Sequence, residues 1–486
     1  MWMLGAILLP IAGGGLLSLW RPQNETARQS YVLGIACLTA VLSLAALFTQ
    51  YGEEPTVFLH LGGHLSVALQ VDGLSCIFGA MVSLLWPLAC LYALEYMTAE
   101  GGENRFFTFY LAAFGVTLGI AFSANIVTLY FFYELLTLVT LPLVMHAMDG
   151  KARYAGRVYL TYSMSGASLG FISMVFLLQY GGSFFRLGGT VEAAGSDLLL
   201  AAYVLGFFGF GVKAAVVPGY KWLLRASVAP TPVTALLHAV AVVKSGVFAV
   251  VRITWYGFGP ELLRGTWAQS VVLAAVLFTI VYGSSKALGT KHLKRRLAWS
   301  TISNLSYILL GVALLTPAGL SASLTHLVFH AVLKIILFFG VGAIHYKLHR
   351  DFVPDIEGCA PMMPVVFSTF TLSVLGLIGI PPLAGFSSKW LLAIACTSSK
   401  TLLGSLGAAA LIVSAVLTAL YLMQIVLLAY FPRQTRTISV RMVPKRARQD
   451  PGLRMTVPLC LLTAVSLALG FGAGAAAQMI SDLLFG

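Results

Sequence analysis

The run GLSASLTHLVFHAVLKIILFFGVGAIH, residues 319–345, decides the fold class of this protein. It is apolar well beyond the roughly 18 residues that an α-helix needs to cross about 30 Å of hydrocarbon. Similar runs recur along the chain, in which 59% of the 486 residues are hydrophobic and 10% are charged. That balance indicates an integral membrane protein, because a soluble chain of this length cannot bury so much apolar surface in one core.

Fourteen apolar runs are predicted to be membrane-spanning helices, so the predicted fold class is an all-α polytopic membrane protein. The alternating segments of about ten residues that are typical of membrane β-barrels do not occur in the sequence. Residues 51–72 alternate enough to predict a short hairpin. The predicted spans are residues 3–20, 29–50, 73–98, 106–123, 125–146, 156–180, 198–219, 231–256, 268–289, 297–316, 319–345, 362–395, 404–431 and 455–479.

Basic residues predict the orientation of these spans, because loops rich in Lys and Arg stay on the cytoplasmic side. With the N-terminus outside, 22 of the 30 Lys and Arg residues fall in inner loops, and only Arg186, Arg252, Arg264 and Lys400 fall in outer loops. Both termini are then predicted to lie outside. The first run has no basic segment before it and Arg21 after it, which favours a first span over a cleaved signal peptide.

Charge and cysteine content exclude several function classes. The net charge of +13 comes from residues between apolar runs, not from one soluble surface, so no nucleic-acid binding is expected. The six cysteines form no CxxC pair, and no Walker loop, dinucleotide fingerprint or haem motif occurs, so neither a metal nor another cofactor is expected. The basic stretch at residues 432–453 predicts a cytoplasmic loop that contacts lipid headgroups or a partner subunit, or that only enforces topology.

Glu134 is the one acidic residue at mid-depth of a predicted span, and four lysines inside apolar runs belong to no loop: Lys213, Lys244, Lys334 and Lys389. An ionised residue at a helix centre costs about 2.5–3.5 kcal/mol, so five independent ones would cost roughly 12–18 kcal/mol. Pairing or neutralisation must offset much of that cost. Glu134 is interpreted either as part of a proton path or as half of a structural ion pair. Snorkelling to an interface explains Lys244 and Lys334 poorly, because both lie deep.

Histidines accompany two of these lysines. His326, His330 and Lys334 follow one another at four-residue steps, which places them on one helix face over roughly 12 Å. A single histidine would more often be a satisfied core residue, but three titratable groups in register predict a proton relay. His238 and Lys244 are six residues apart and so lie on different faces of the eighth predicted span, which favours a lateral proton transfer.

Prolines accompany the other two lysines. Lys213 precedes Pro218 by five residues, and Pro381 and Pro382 precede Lys389. A proline interrupts helical hydrogen bonding, so that backbone groups and water can meet inside the membrane. Two interrupted spans in corresponding places of two halves are typical of inverted-repeat transporters, although two ordinary proline kinks would produce the same pattern.

In these segments the chain resembles the antiporter-like subunits shared by respiratory complex I, Mrp-type cation/proton antiporters and membrane-bound energy-converting hydrogenases. The resemblance covers about residues 105–430 and includes GFSSKW around Lys389 and KHLKRRLAWSTISNLSYI at the tenth span. It implies fourteen helices, two inverted five-helix repeats and broken seventh and twelfth helices. It also implies a proton path through Glu134, Lys213, His238, Lys244, His326, His330, Lys334 and Lys389.

The resemblance implies a division of the chain into residues 1–104, an N-terminal three-helix segment, 105–256 and 257–431, two antiporter-like repeats, and 432–486, a basic loop with a C-terminal helix. The expected location is a prokaryotic cytoplasmic membrane. The expected partners are other membrane subunits of one complex, including further antiporter-like subunits. Because this chain has no redox motif, any oxidoreductase activity is expected to belong to those partners.

The implied mechanism begins with a proton that enters from the cytoplasm near Lys213, which is paired with Glu134. The proton crosses through Lys244 and His238 to the histidine column and leaves outward through Lys389. The transported ion is H⁺, and whether Na⁺ exchanges for it stays open, as does the choice between His238 and Lys244 as the central relay. The alternative functions are those of a stand-alone solute transporter and of a membrane scaffold that conducts no ions.

Overall fold

Nineteen α-helices form within the described part of the chain, residues 1–20, 22, 24–62, 65–192, 196–432 and 449–486 of a computed structural model. The first ten are α1 (Trp2–Trp20), α2 (Glu25–Thr49), α3 (Gly73–Glu100), α4 (Glu103–Ala121), α5 (Ile126–Val144), α6 (Gly150–Tyr180), α7 (Asp197–Gly211), α8 (Lys221–Ala226), α9 (Thr231–Ala239) and α10 (Val242–Val251). The others are α11 (Pro260–Leu263), α12 (Trp267–Gly289), α13 (Leu293–Ala313), α14 (Pro317–Leu348), α15 (Pro364–Ile378), α16 (Ala384–Ser398), α17 (Leu402–Tyr430), α18 (Leu453–Phe471) and α19 (Ala473–Phe485).

Ten helical segments of the described chain are long and apolar enough to cross a membrane, so the chain is a multi-pass membrane protein. One of them runs from Thr231 to Phe258 and joins α9, α10 and a π-helical segment, Arg252–Phe258. The other nine are α1, α2, α3, α5, α6, α12, α14, α17 and α18. Three shorter helices, α7, α15 and α19, are also apolar.

Small polar residues start many of these helices. Their side chains accept hydrogen bonds from the first-turn N–H groups, which have no partner within the helix itself. The capping residues are Asn24, Asp72, Asn125, Asp149, Ser196, Thr266, Thr316 and Thr401. The sequence therefore places helix starts in the polar breaks between apolar runs.

The predicted hairpin between the second and third spans is confirmed. Strands β1 (Thr56–Gly62) and β2 (Leu65–Leu69) pair in the antiparallel direction. The hairpin packs against the start of α5, where Asn125 Nδ2 donates to the Ser66 carbonyl at 3.0 Å and the Ala68 N–H donates to Thr128 Oγ1 at 2.9 Å. This packing satisfies backbone groups of an otherwise isolated two-stranded sheet.

Burial separates inner helices from outer ones. The most apolar 18 residues of the segment Thr231–Phe258 are all buried inside the protein, and 94% of those in α14 are buried. The corresponding share is 39% in α1, α2 and α18. The outer helices therefore expose their apolar side chains to lipid, whereas α9, α10 and α14, which carry most of the predicted proton-path residues, form the centre.

Two predicted spans contain interruptions that were not expected. The eighth, predicted as continuous over 231–256, is interrupted at Val240 and Ala241, between His238 and Lys244. The fourteenth, predicted over 455–479, consists of α18 and α19. Continuous apolar composition hides such interruptions, because an apolar run carries no information about backbone dihedral angles. The breaks expected in the seventh and twelfth spans are present, between α7 and α8 and between α15 and α16. Most of the predicted basic loop, residues 433–448, lies outside the described residues.

Candidate functional site

Lys213 lies in the interruption between α7 and α8, which also contains Pro218. Its side chain is fully buried. The ammonium group donates a hydrogen bond to the Tyr133 carbonyl and lies 3.4 Å from the centroid of the Tyr133 ring. A carbonyl and an aromatic face together stabilise a buried cation without a carboxylate.

Glu134 follows Tyr133 on α5, and its side chain makes no ion-pair contact with Lys213. None of the ion pairs within the described residues joins the two side chains, and Glu134 Oε1 is buried there without a hydrogen-bond partner. The two groups interact electrostatically. Their pairing in the proton path therefore stays a prediction, and the hydrogen bond of the Lys213 ammonium group goes to the backbone carbonyl of Tyr133.

Gly246 brings α10 against the backbone that carries Lys213. A Cβ atom at Gly246 would lie 2.4 Å from the Ala214 nitrogen and 2.7 Å from the Lys213 carbonyl carbon. Only a residue without a side chain permits this approach. The contact connects the helix interruption at Lys213 to the helix that holds Lys244.

Replacing Gly246 with Ala is expected to separate α10 from the interrupted helix and to lower stability by about 1–3 kcal/mol, because the added methyl group meets backbone atoms that cannot move aside. The measurement is the melting temperature of the purified protein. Gly34→Ala is the matched control, since no atom lies within 4 Å of a Cβ atom at this helical glycine. Equal melting temperatures for the two variants would contradict the close packing at Gly246.

Lys244 and His330 form the central contact of the site. Lys244 Nζ lies 2.8 Å from His330 Nδ1, and both side chains are fully buried. The contact joins α10 to α14. On α14 the His330 ring stacks on the His326 ring with centroids 5.9 Å apart, so the predicted register of these residues on one helix face is confirmed.

Lys334 and His238 flank this contact in different ways. Lys334 Nζ donates to the Leu297 carbonyl of α13 at 3.0 Å. The His238 ring packs on Phe338 with centroids 4.8 Å apart, and neither of its nitrogens has a hydrogen-bond partner in the described chain. Lys244, and not His238, therefore makes the direct contact with the histidine column.

Lys389 lies next to the second interruption, between α15 and α16. Lys389 Nζ donates to the carbonyls of Leu377 and Ile378 at 2.7 and 3.0 Å. These carbonyls are the last of α15 and have no partner within that helix. Pro381 and Pro382 lie in the connection, so this interruption offers its own carbonyls to a half-buried ammonium group, whereas Lys213 contacts a carbonyl of α5.

Sequence reasoning missed the neutral polar residues that link Lys389 to the histidines. His326 Nδ1 lies 2.9 Å from Ser388 Oγ, and the His326 and Tyr307 ring centroids are 5.5 Å apart. Lys389 Nζ lies 5.7 Å from the Tyr307 ring centroid. The available signal was a polar stripe on α13, where Ser300, Asn304 and Tyr307 recur at helical spacing.

Three cations assigned to loops by the sequence are buried. Arg252 was expected in an outer loop, but it is ion-paired with Asp72 inside the protein. Lys294 and Arg296 were expected in an inner loop, but both belong to α13 and donate to backbone carbonyls. Counting charges along the sequence assigns any cation near the end of an apolar run to a loop. The burial of such a cation, and its hydrogen-bond partner, become visible only in the tertiary structure.

The arrangement provides a series of groups that can bind and release protons. One direct hydrogen bond, between Lys244 and His330, connects two helices, and one neutral hydroxyl, that of Ser388, extends the histidine column. Several buried polar atoms of the described chain have no protein partner, including Tyr307 Oη, His326 Nε2 and His330 Nε2. Buried polar atoms of this kind are sites for internal water, which carries protons between side chains.

Comparison with known proteins gives consistent results over most of the chain. A family model described as NADH:quinone oxidoreductase/Mrp antiporter, TM, matches residues 123–418. A second, described as NADH-Ubiquinone oxidoreductase (complex I), chain 5 N-terminus, matches residues 58–107. NADH-quinone oxidoreductase subunit L of Mycobacterium tuberculosis is 29% identical to this chain over 499 residues, which cover 96% of this chain and 74% of that protein.

Two further similarities extend the comparison. Hydrogenase-4 component B of Escherichia coli is 32% identical over 349 residues, which cover 67% of this chain and 50% of that protein. A chain in the structure of the Mrp complex from a Dietzia species has the same fold, with a TM-score of 0.85, 23% identity and coverage of 99% of this chain and 96% of that chain. Because the first family model covers more than half of the sequence, this chain belongs to the family of NADH:quinone oxidoreductase/Mrp antiporter transmembrane subunits.

Proposed function

We propose that this chain translocates protons as the antiporter-like subunit of a multisubunit membrane complex of the Mrp, energy-converting hydrogenase or complex I-like type. The observation that carries the proposal is the contact of 2.8 Å between Lys244 and His330, deep inside the protein. Two buried titratable groups on different helices can share and pass one proton, whereas a scaffold would favour apolar packing at the same place.

The proposed path begins at Lys213, at the first helix interruption, and reaches the centre at Lys244. From there the proton moves to His330 and along α14 to His326. Ser388 and the half-buried Lys389 then form the exit at the second interruption. A change in electrostatic interaction between Glu134 and Lys213, driven by a neighbouring subunit, would control the first step.

The proposed topology has fourteen spans and both termini outside. Four further units add to the ten candidate spans, namely α4, α13, the pair α7 and α8, and the pair α15 and α16. The two interrupted pairs support an inverted repeat of residues 105–256 and 257–431, because a lysine and at least one proline lie at or beside each interruption. The location that follows is a cytoplasmic membrane.

Proton pumping by inverted vesicles that contain the whole native complex tests this function. Lys244→Ala and Glu134→Gln are each expected to reduce the rate of pumping by about tenfold or more, since a positioned proton carrier raises the rate of proton transfer by at least that factor. Equal assembly of wild type and variants is verified first. Addition of Na⁺ to the same vesicles then shows whether Na⁺ exchange is coupled to proton movement.

Lys400→Ala is the control for the loss of a lysine, because this residue lies in the exposed connection between α16 and α17. Its pumping should equal that of the wild type. Pumping at the wild-type rate in both Lys244→Ala and Glu134→Gln would reject proton conduction by this chain and leave the scaffold role.

A further inference from the structure

His238 is a buried titratable residue without a place in the contacts described so far. Its side chain is fully buried, and both ring nitrogens lack a hydrogen-bond partner within the residues that the structure describes. It interacts electrostatically with Lys334. A buried imidazole needs hydrogen-bond partners for its two nitrogens, because a buried polar atom without a partner lowers the stability of the protein.

The helix that carries His238 has a polar side. Thr231, Thr234 and His238 on α9 are spaced by three and four residues, so they lie on one face of the helix. All three are fully buried. Seven residues separate Thr231 from His238, which corresponds to about 10 Å along the helix axis. This polar face leads from His238 to the start of α9.

At the start of α9 the hydroxyl groups of two helices meet. Thr231 Oγ1 donates to Tyr96 Oη of α3 at 3.1 Å. One turn further along α3, Glu100 is exposed at the end of the helix and interacts with the Tyr96 hydroxyl. A continuous series of polar groups therefore begins at an exposed carboxylate and ends at a buried hydroxyl.

Gly342 of α14 permits this arrangement. A Cβ atom at Gly342 would lie 2.5 Å from Thr231 Cγ2 and 2.6 Å from Tyr92 Oη. The Tyr92 hydroxyl, one turn before Tyr96, donates to the Phe339 carbonyl at 2.7 Å. Tyr92 and Thr231 are thus packed against the backbone of the helix that carries the histidine column, and the Tyr96 ring centroid lies 5.8 Å from that of Tyr346 on the same helix.

Charged groups surround the exposed end of this series. Lys294 interacts electrostatically with both Glu100 and Asp351, and Asp351 Oδ1 lies 2.9 Å from His345 Nδ1. These groups lie on the side that the distribution of basic residues predicts to be cytoplasmic. Carboxylates and histidines at such a surface can bind protons from solvent and release them to a nearby acceptor.

We propose that Glu100, Tyr96 and Thr231 form a proton uptake path that leads to His238, separate from the access at Lys213. This inference rests on the proposed function. Each hydroxyl group accepts a proton on its oxygen and releases its own proton on the other side, so it returns to its original state after it reorients. Water between Thr231 and His238 completes the path, and His238 transfers the proton to Lys334.

Proton pumping by the whole complex in inverted vesicles tests the path with substitutions that remove only a hydroxyl group. Tyr96→Phe and Thr231→Val are each expected to reduce pumping by about tenfold, because a positioned proton carrier contributes at least that factor. Thr231→Ser retains the hydroxyl group and is expected to restore pumping. Lys244→Ala in the same assay reports on the central relay.

Matched controls separate the path from packing. Tyr110→Phe and Thr117→Val remove hydroxyl groups from α4 at equally buried positions and should leave pumping unchanged. Wild-type pumping in Tyr96→Phe and Thr231→Val, with pumping lost in Lys244→Ala, would overturn the uptake path and leave the proposed function intact. An equal loss in Thr231→Ser or Tyr110→Phe would assign the effect to packing and overturn the path as well. Normal pumping in Lys244→Ala would reject both proposals.

Discussion

Replacing His330 with Gln is expected to reduce proton translocation by the assembled complex about hundredfold, because a positioned proton carrier contributes two orders of magnitude or more. Glutamine fills a similar volume and forms hydrogen bonds, but it does not titrate. His330 is the residue of α14 that contacts Lys244, so its loss interrupts the only direct side-chain hydrogen bond between α10 and α14 within the described residues. Assembly is expected to be retained, because the amide can still accept a hydrogen bond from Lys244.

The combination of His330→Gln with Lys244→Ala distinguishes a shared step from two separate steps. If the two residues pass one proton between them, the double variant should translocate protons about as slowly as the slower of the two single variants. The control is His60→Gln, which replaces an exposed histidine of the hairpin. Losses that multiply in the double variant would contradict a shared step, and wild-type rates in both single variants would exclude the relay.

Replacing Asp72 with Asn is expected to lower the free energy of unfolding by about 3 kcal/mol, because it leaves the buried Arg252 guanidinium without its charged partner. Arg252 Nη2 donates to Asp72 Oδ1 at 2.9 Å and to Ser75 Oγ at 3.0 Å, and Nη1 donates to Asp72 Oδ2. Asparagine can still accept the hydrogen bond from the Ser75 N–H at the start of α3, so the expected loss comes from the unpaired charge and not from helix capping.

The pH dependence of this effect has a definite sign. Burial opposes ionisation of Asp72, but the Arg252 charge and the hydrogen bonds from Arg252 and Ser75 outweigh it and hold the pKa of Asp72 below its usual range. A lowered pKa adds stability above the unfolded-state value of about 4, and this stability is lost as the pH falls through the folded-state pKa. The difference between wild type and Asp72→Asn should therefore shrink in acid.

Thermal unfolding of the purified protein measures this prediction, with Glu261→Gln as the control. Glu261 forms an exposed ion pair with Arg264, with 82% and 49% of the side chains accessible, so its loss should change the free energy of unfolding by no more than about 0.5 kcal/mol. Equal stability of Asp72→Asn and Glu261→Gln would show that the buried pair contributes no more than a surface pair.

Local sequence was sufficient for the features that depend on one segment. The apolar runs predicted a multi-pass membrane protein, the alternation at residues 51–72 predicted the hairpin, and the spacing of His326, His330 and Lys334 predicted their common helix face. Each of these features follows from the periodicity of one helix or strand, which is independent of the rest of the chain. The family motifs identified the same residues.

Tertiary structure decided which of these residues contact each other and which partners they have. The Lys244–His330 contact joins residues 86 positions apart, and the hydroxyl contact between Tyr96 and Thr231 joins residues 135 positions apart. Neither contact can be predicted from the periodicity of a single helix. The backbone carbonyl that accepts the hydrogen bond from Lys213 has no sequence signature at all, because every residue carries one. Composition and periodicity therefore specify which groups enter the membrane, whereas helix packing and helix interruptions specify which groups can exchange a proton.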